Sequence, residues 1–207
     1  MNFLNKIYAW TLNNYIKVIS FFLIAGLAYG VYLYFYFITQ KKDQEAGDLF
    51  LNFYYSYPAS EFNEEEYKIA IEEISQIDNS SIYLVMLKSI YAAESVERND
   101  LQKALTELSI AKEILSKKGS NFNFLREIID LRMVNIFIDL DDLDSAKNIL
   151  KNNFVTYLTN KLILQGDISA TERKYEKAKQ KYNEALQRSE NETQKNLINL
   201  KISTLTD

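Results

Sequence analysis

Neither cysteine nor histidine occurs in this 207-residue chain. Composition alone therefore excludes thiol chemistry, cysteine-based zinc sites and every Ser-His or Cys-His nucleophile arrangement. A chain without cysteine needs no disulfide, so cysteine usage does not identify its compartment. Proline occurs once and glycine five times. Sandwiches and barrels place both residues in their turns, so this scarcity argues against an all-β fold. Neither GxxxxGK[ST] nor GxGxxG is present, which leaves no Gly-rich phosphate loop. Acidic neighbours such as Asp141-Asp142 could serve a carboxylate mechanism, but they read as a turn between helices. The expectation is a protein that is not an enzyme and holds no metal or cofactor. Basic charge is also sparse once the N-terminal segment is passed. Residues 1–42 carry four lysines and no acid, which leaves 20 basic and 28 acidic residues in 43–207, a formal charge of −8. Such a domain repels phosphate backbones, so nucleic acid is not an expected partner.

What is present is one long apolar run. Val18–Ile38 contains no charged residue. As a helix it is roughly 32 Å long, against a hydrocarbon core of about 30 Å. It is longer than a signal-peptide core and is followed by Thr39-Gln40-Lys41, not by a small-residue cleavage pattern, so an uncleaved anchor is expected. Tyr8, Trp10 and Tyr15 before it and Tyr32, Tyr34 and Tyr36 at its far end suit the headgroup layers. Gly26 and Gly30 form a GxxxG spacing, compatible with helix pairing or with plain lipid exposure. Lys6 and Lys17 on one flank and Lys41 and Lys42 on the other nearly balance. The expected orientation puts the N-terminus in the cytoplasm and the rest outside it. The expected division is 1–17 as a short cytoplasmic N-terminus, 18–38 as a transmembrane anchor, 39–80 as linker and leading helices, and 81–207 as helical repeats with a capping helix.

Beyond the anchor the 3.6-residue period dominates. A leading helix over Asp43–Tyr57 has Phe50, Phe53, Tyr54 and Tyr57 in one aromatic stripe, suited to the core or to a partner groove, and Pro58 stops it. Asn63 and Glu66 open a second helix in capping-box fashion, with Tyr67, Ile71, Ile74 and Ile77 on its inner face. Helix pairs then follow. The first is Ile82–Glu97 and Leu101–Ser116, closed by Lys117-Lys118 and Gly119, a residue able to take φ > 0. The second is Phe122–Leu140 and Leu143–Asn152. The third is Phe154–Gln165 and Tyr175–Gln187, with a break near 171–174. A last helix near Glu192–Leu205 has the character of a cap on an open stack.

The pairs share a register. Ala92, Ala104, Leu108 and Ala111 in the first pair are spaced like Gly166, Ala178, Tyr182 and Ala185 in the third. Small residues at these positions let the two helices cross closely, and the large residue fills the space beside the crossing. The middle pair keeps Ala146 but has Asp130 where a small residue is expected. This spacing is that of a tetratricopeptide repeat. The expected fold is all-α: an N-terminal transmembrane helix followed by a tetratricopeptide-like α-solenoid. Stacked pairs present a concave surface lined by their first helices. Here that surface would carry Met86, Ser89, Ala93, Asn135, Asn160, Ile163 and Asp167, suited to an extended peptide or a partner segment.

The chain resembles the YfgM-type proteins, single-span inner-membrane proteins of Gram-negative bacteria with a periplasmic tetratricopeptide-like domain. The resemblance spans nearly the whole chain. It rests on Trp10 and Asn14 ahead of an anchor with a central Gly26, on Leu131-Arg132, on Gly166-Asp167 ahead of Ala178, and on the closing Leu200-Lys201-Ile202-Ser203-Thr204-Leu205. An acidic segment before the anchor is missing. The resemblance implies an ancillary subunit of a SecYEG-type translocon that associates with a PpiD-type periplasmic chaperone and with unfolded exported proteins. The alternative is an inner-membrane scaffold for another envelope assembly complex.

Overall fold

A computed structural model of the protein describes residues 14–56 and 62–205. Tyr8, Trp10, Tyr57, Pro58 and the N-terminal lysine Lys6 lie outside the described residues. Nine α-helices and no strands occur among the described residues: α1 Tyr15–Ser56, α2 Glu64–Ile77, α3 Ile82–Glu97, α4 Leu101–Ser116, α5 Asn123–Asp139, α6 Leu143–Ile149, α7 Leu158–Thr171, α8 Tyr175–Arg188 and α9 Glu192–Ser203. Consecutive helices pair as hairpins, α1 with α2, α3 with α4, α5 with α6 and α7 with α8, and α9 lies against α8.

The expected joint between anchor and leading helix does not exist. α1 runs 42 residues without interruption, roughly 63 Å at helical rise. The physical reason is local. No proline or glycine falls between Val31 and Ala46, Thr39 Oγ1 donates to the Phe35 carbonyl, and Lys41 pairs with Glu45 one turn on. The first part of this helix exposes its apolar side chains and is long and apolar enough to cross a membrane. Its last turns enter the core through Ala46 and Phe53. The aromatic stripe therefore divides. Phe53 is 5% exposed, Tyr54 is 51% exposed, and Phe50 sits between, half-buried against Tyr83. Phe53, Phe62, Tyr67 and Tyr91 join α1, α2 and α3, with Tyr67 and Tyr91 ring centres 4.3 Å apart. Gly47 lets α1 approach α3, because a Cβ there would lie 2.8 Å from the Tyr83 hydroxyl.

Three inter-helix turns are built alike. Asn99, Asp141 and Arg173 take φ of 60°, 59° and 58°. The next amide donates back five residues in each turn, Asp100 to Ser95, Asp142 to Phe137 and Lys174 to Ser169 (2.7, 2.8 and 2.8 Å). Asp100 and Asp142 then cap the following helices through Lys103 N and Ser145 N. Gly119 does not take the expected left-handed conformation. Its φ is −65°, and the end of α4 is closed by Arg126, whose guanidinium reaches the Leu115 and Lys118 carbonyls.

The join between the second and third pairs departs from expectation. α6 stops at Ile149 instead of Asn152, and α7 starts at Leu158 instead of Phe154. One buried side chain accounts for much of this. The Glu127 carboxylate accepts three successive amides, Val155 at 3.0 Å, Thr156 at 2.9 Å and Tyr157 at 2.8 Å. Those amides face a side chain on α5, so α7 begins after them. Asp130, in place of the small residue, is 5% exposed. It pairs with Lys112 of α4 and accepts from Asn152 Nδ2 at 2.8 Å. It thereby ties α4, α5 and the end of α6 together.

Candidate functional site

The register residues lie where helices cross. Ala92, Ala104, Leu108, Ala111 and Ala146 are buried in the main core. Ala178, Tyr182 and Ala185 are buried in a second core shared by α7, α8 and α9. Gly166 faces Tyr182 so closely that a Cβ would come within 2.4 Å of its ring. Burial and the neighbouring Asp167 carboxylate both hold the Tyr182 phenol in its protonated form.

Four of the seven predicted concave residues come together. α1 touches α3, and α5 touches α7, but between α3 and α5 the surface opens into a groove. Met86, Ser89 and Ala93 form one wall, and Asn135 stands on the other. The groove has two lobes of about 350 Å³ each. The lobe nearer α1 is closed by Phe50 and walled by Leu125, Ile128 and Ile129 of α5. The far lobe is floored by buried Ala92, Leu108 and Ile136 and bordered by exposed Val96, Glu97 and Asp139. Arg132 borders both lobes. Its Nη1 is 3.5 Å from the Ser89 carbonyl oxygen, a long contact. Met86 (40% exposed) and Val96 (39%) leave apolar surface open to an incoming chain.

The other three predicted residues are elsewhere. Ile163 is 8% exposed and belongs to the second core, so it offers no binding surface. The i, i+3, i+4 pattern of α7 permits either face, and the second core that α7 shares with α8 and α9 buries this one. Asp167 is engaged as well. One of its oxygens accepts from the Tyr182 hydroxyl and meets Lys201 Nζ of α9, both at 2.6 Å. It fastens the cap instead of facing a ligand. Asn160 is exposed near the start of α7, outside the groove.

Patterning did not mark Arg132, Ile128 or Ile129 as groove residues, and it left Phe50 open between the core and a partner groove. Phe50 reaches it because α1 does not break, which periodicity in a separate leading helix cannot reveal. Arg132 was visible only as part of a scattered resemblance. Ile128 and Ile129 follow the same helical period as the core positions beside them, and nothing in one sequence separates a groove wall from a core wall.

The repeated hairpins, their matched left-handed turns and the close crossings at Ala92 and Gly166 agree with the comparison to known families. No curated protein sequence matches the chain. The profile of the tetratricopeptide repeat-like domain matches residues 9–207, nearly the full length. The chain belongs to the family of tetratricopeptide repeat-like proteins, whose helical-repeat domains typically serve as protein-interaction modules.

Proposed function

We propose that the first part of α1 anchors the chain in a bacterial inner membrane, with α2–α9 on the periplasmic side. There it acts as an ancillary subunit of a SecYEG-type translocon, and its groove receives a PpiD-type chaperone or an exported chain. The observation that carries this reading is the unbroken α1. The helix that supplies the membrane-length apolar run also supplies Phe50, a wall of the groove. At 1.5 Å per residue Phe50 lies about 18 Å beyond Ile38. A groove held at that height meets a polypeptide soon after it leaves a channel. Confinement beside the channel makes a weak contact effectively intramolecular, so modest affinity and fast release are sufficient. The resemblance to YfgM-type proteins supplies the identity of the channel and the chaperone.

Because the chain has no cysteine, one introduced thiol reports topology cleanly. Asn160→Cys should react with a membrane-impermeant maleimide in intact spheroplasts. Reaction only after lysis would overturn the periplasmic placement. Isolation of the full chain from native membranes should recover SecY-type and PpiD-type proteins. Recovery of a different envelope complex without either would replace this reading with that of a scaffold.

A further inference from the structure

The groove between α3 and α5 has a spacing and a charge that select its occupant. Along α5 one lobe is lined by residues from Leu125 to Arg132 and the other by residues from Arg132 to Asp139, with Arg132 shared between them. The lobe centres are thus about seven residues apart along α5, about 10 Å at helical rise. Arg132 is exposed. In the ion pairs found among the described residues the cation is always a lysine, so this guanidinium has no carboxylate partner there. It is a lone positive charge between two apolar lobes, on a domain of formal charge −8. Guanidinium pairs best with a carboxylate, which it can meet with two parallel N–H donors.

The 10 Å spacing discriminates between ligand conformations. In an extended chain, side chains on one face repeat about every 6.6–6.8 Å. A 10 Å interval falls between two such positions, where the side chain points away. In a helix, i and i+7 are about 10.5 Å apart on one face, and i+3 and i+4 lie between them on the same face. From this geometry we infer that the groove takes an amphipathic helix of a partner protein, with apolar side chains at i and i+7 and a glutamate or aspartate at i+3 or i+4 that pairs with Arg132. Glu97 and Asp139 rim the far lobe and repel a second acid there, which confines the carboxylate to the middle position. This helix-in-groove mode buries one face of the ligand and reads one charge. The inference rests on the groove being a protein-docking surface. It does not depend on the translocon.

The test uses the full chain in phosphatidylcholine nanodiscs and a fluorescein-labelled stapled helical peptide with leucine at i and i+7 and glutamate at i+4, read by fluorescence anisotropy. Replacing that glutamate by glutamine should weaken binding about tenfold, the scale of one charge-assisted hydrogen-bonded pair. Arg132→Gln should abolish the difference between the two peptides. Arg132→Glu should reverse the preference toward a peptide with lysine at i+4. Met86→Asp should weaken every peptide alike. Because both side chains are exposed, each variant should unfold at the wild-type denaturant midpoint. Equal binding of the glutamate and glutamine peptides would overturn the inference. So would equal binding of a proline-containing analogue that cannot form a helix, or no binding by any peptide. The translocon reading fails separately, through the identity of the proteins recovered from membranes.

Discussion

Gly166 and Arg173 show how single residues set the packing of the third hairpin. A Cβ on Gly166 would lie 2.4 and 2.5 Å from two ring carbons of Tyr182. That ring is 2% exposed, and its hydroxyl is held by Asp167, so it has little room to shift. Gly166→Ala should therefore lower stability by about 1–3 kcal/mol despite the better helix propensity of alanine. The check is a urea midpoint. At Gly47 the atom in the way is the far end of Tyr83, so Gly47→Ala should cost less than Gly166→Ala. An equal or larger loss at Gly47 would contradict this account of the close approach. Arg173 poses the opposite case. It holds φ of 58° in a turn whose counterparts carry Asn99 and Asp141, residues that tolerate the left-handed region. Arg173→Gly should raise stability by about 0.5–1 kcal/mol, seen as a higher urea midpoint. A fall would show that the arginine side chain contributes more than the strain it bears.

Hairpins differ in how much of each element could be read from sequence. The helices Ile82–Glu97 and Leu101–Ser116 begin and end where the pattern predicts, because Ser81 and Asp100 cap locally and the turn at Asn99 is chemically marked. The Asn63 cap is similarly readable, since its Oδ1 accepts from Glu65 N and Glu66 N. The boundaries around α6 and α7 were not, because Glu127 captures amides about 30 residues away and no local signal records that. Asp130 looked like a degenerate register position and is a buried ionic tie instead. Between these elements, Lys147 of α6 lies 2.8 Å from Glu172 at the end of α7, and Lys174 lies 3.1 Å from the same carboxylate. The hydrogen bond from Lys147, then that from Lys174, holds the Glu172 carboxyl below its ordinary 4.5. A carboxyl depressed in the folded state adds stability above its unfolded value. That contribution is lost as pH falls through the lowered folded value. Glu172→Gln should therefore be less stable than wild type near pH 7, with the gap closing well below 4.5. Urea midpoints at both pH values check it. A gap that is the same at both would mean the pair contributes no net stability through its charge.

Taken whole, the molecule is a long helix that carries a short stack of hairpins. The α-solenoid and its register could be read because close crossings demand small residues at fixed spacing. The shape of the groove could not, because it depends on how far α3 and α5 stand apart and on α1 continuing into the stack. The stack ends in α9, which Lys201 fastens to Asp167 and whose Ile198 is fully buried. Ile198 of this cap shares a core with Ile163 and so keeps that face of α7 out of any groove. The central claim is that the α3–α5 groove, and not the outer face of the stack, contacts other proteins. Its most direct test is site-specific photo-crosslinking in native membranes. Probes at Met86, Ala93 and Asn135 would be compared with one at exposed Lys179 on α8, outside the groove. The account predicts strong, discrete adducts from the three groove positions and little from Lys179. Equal labelling from all four positions, or stronger labelling from Lys179, would contradict it.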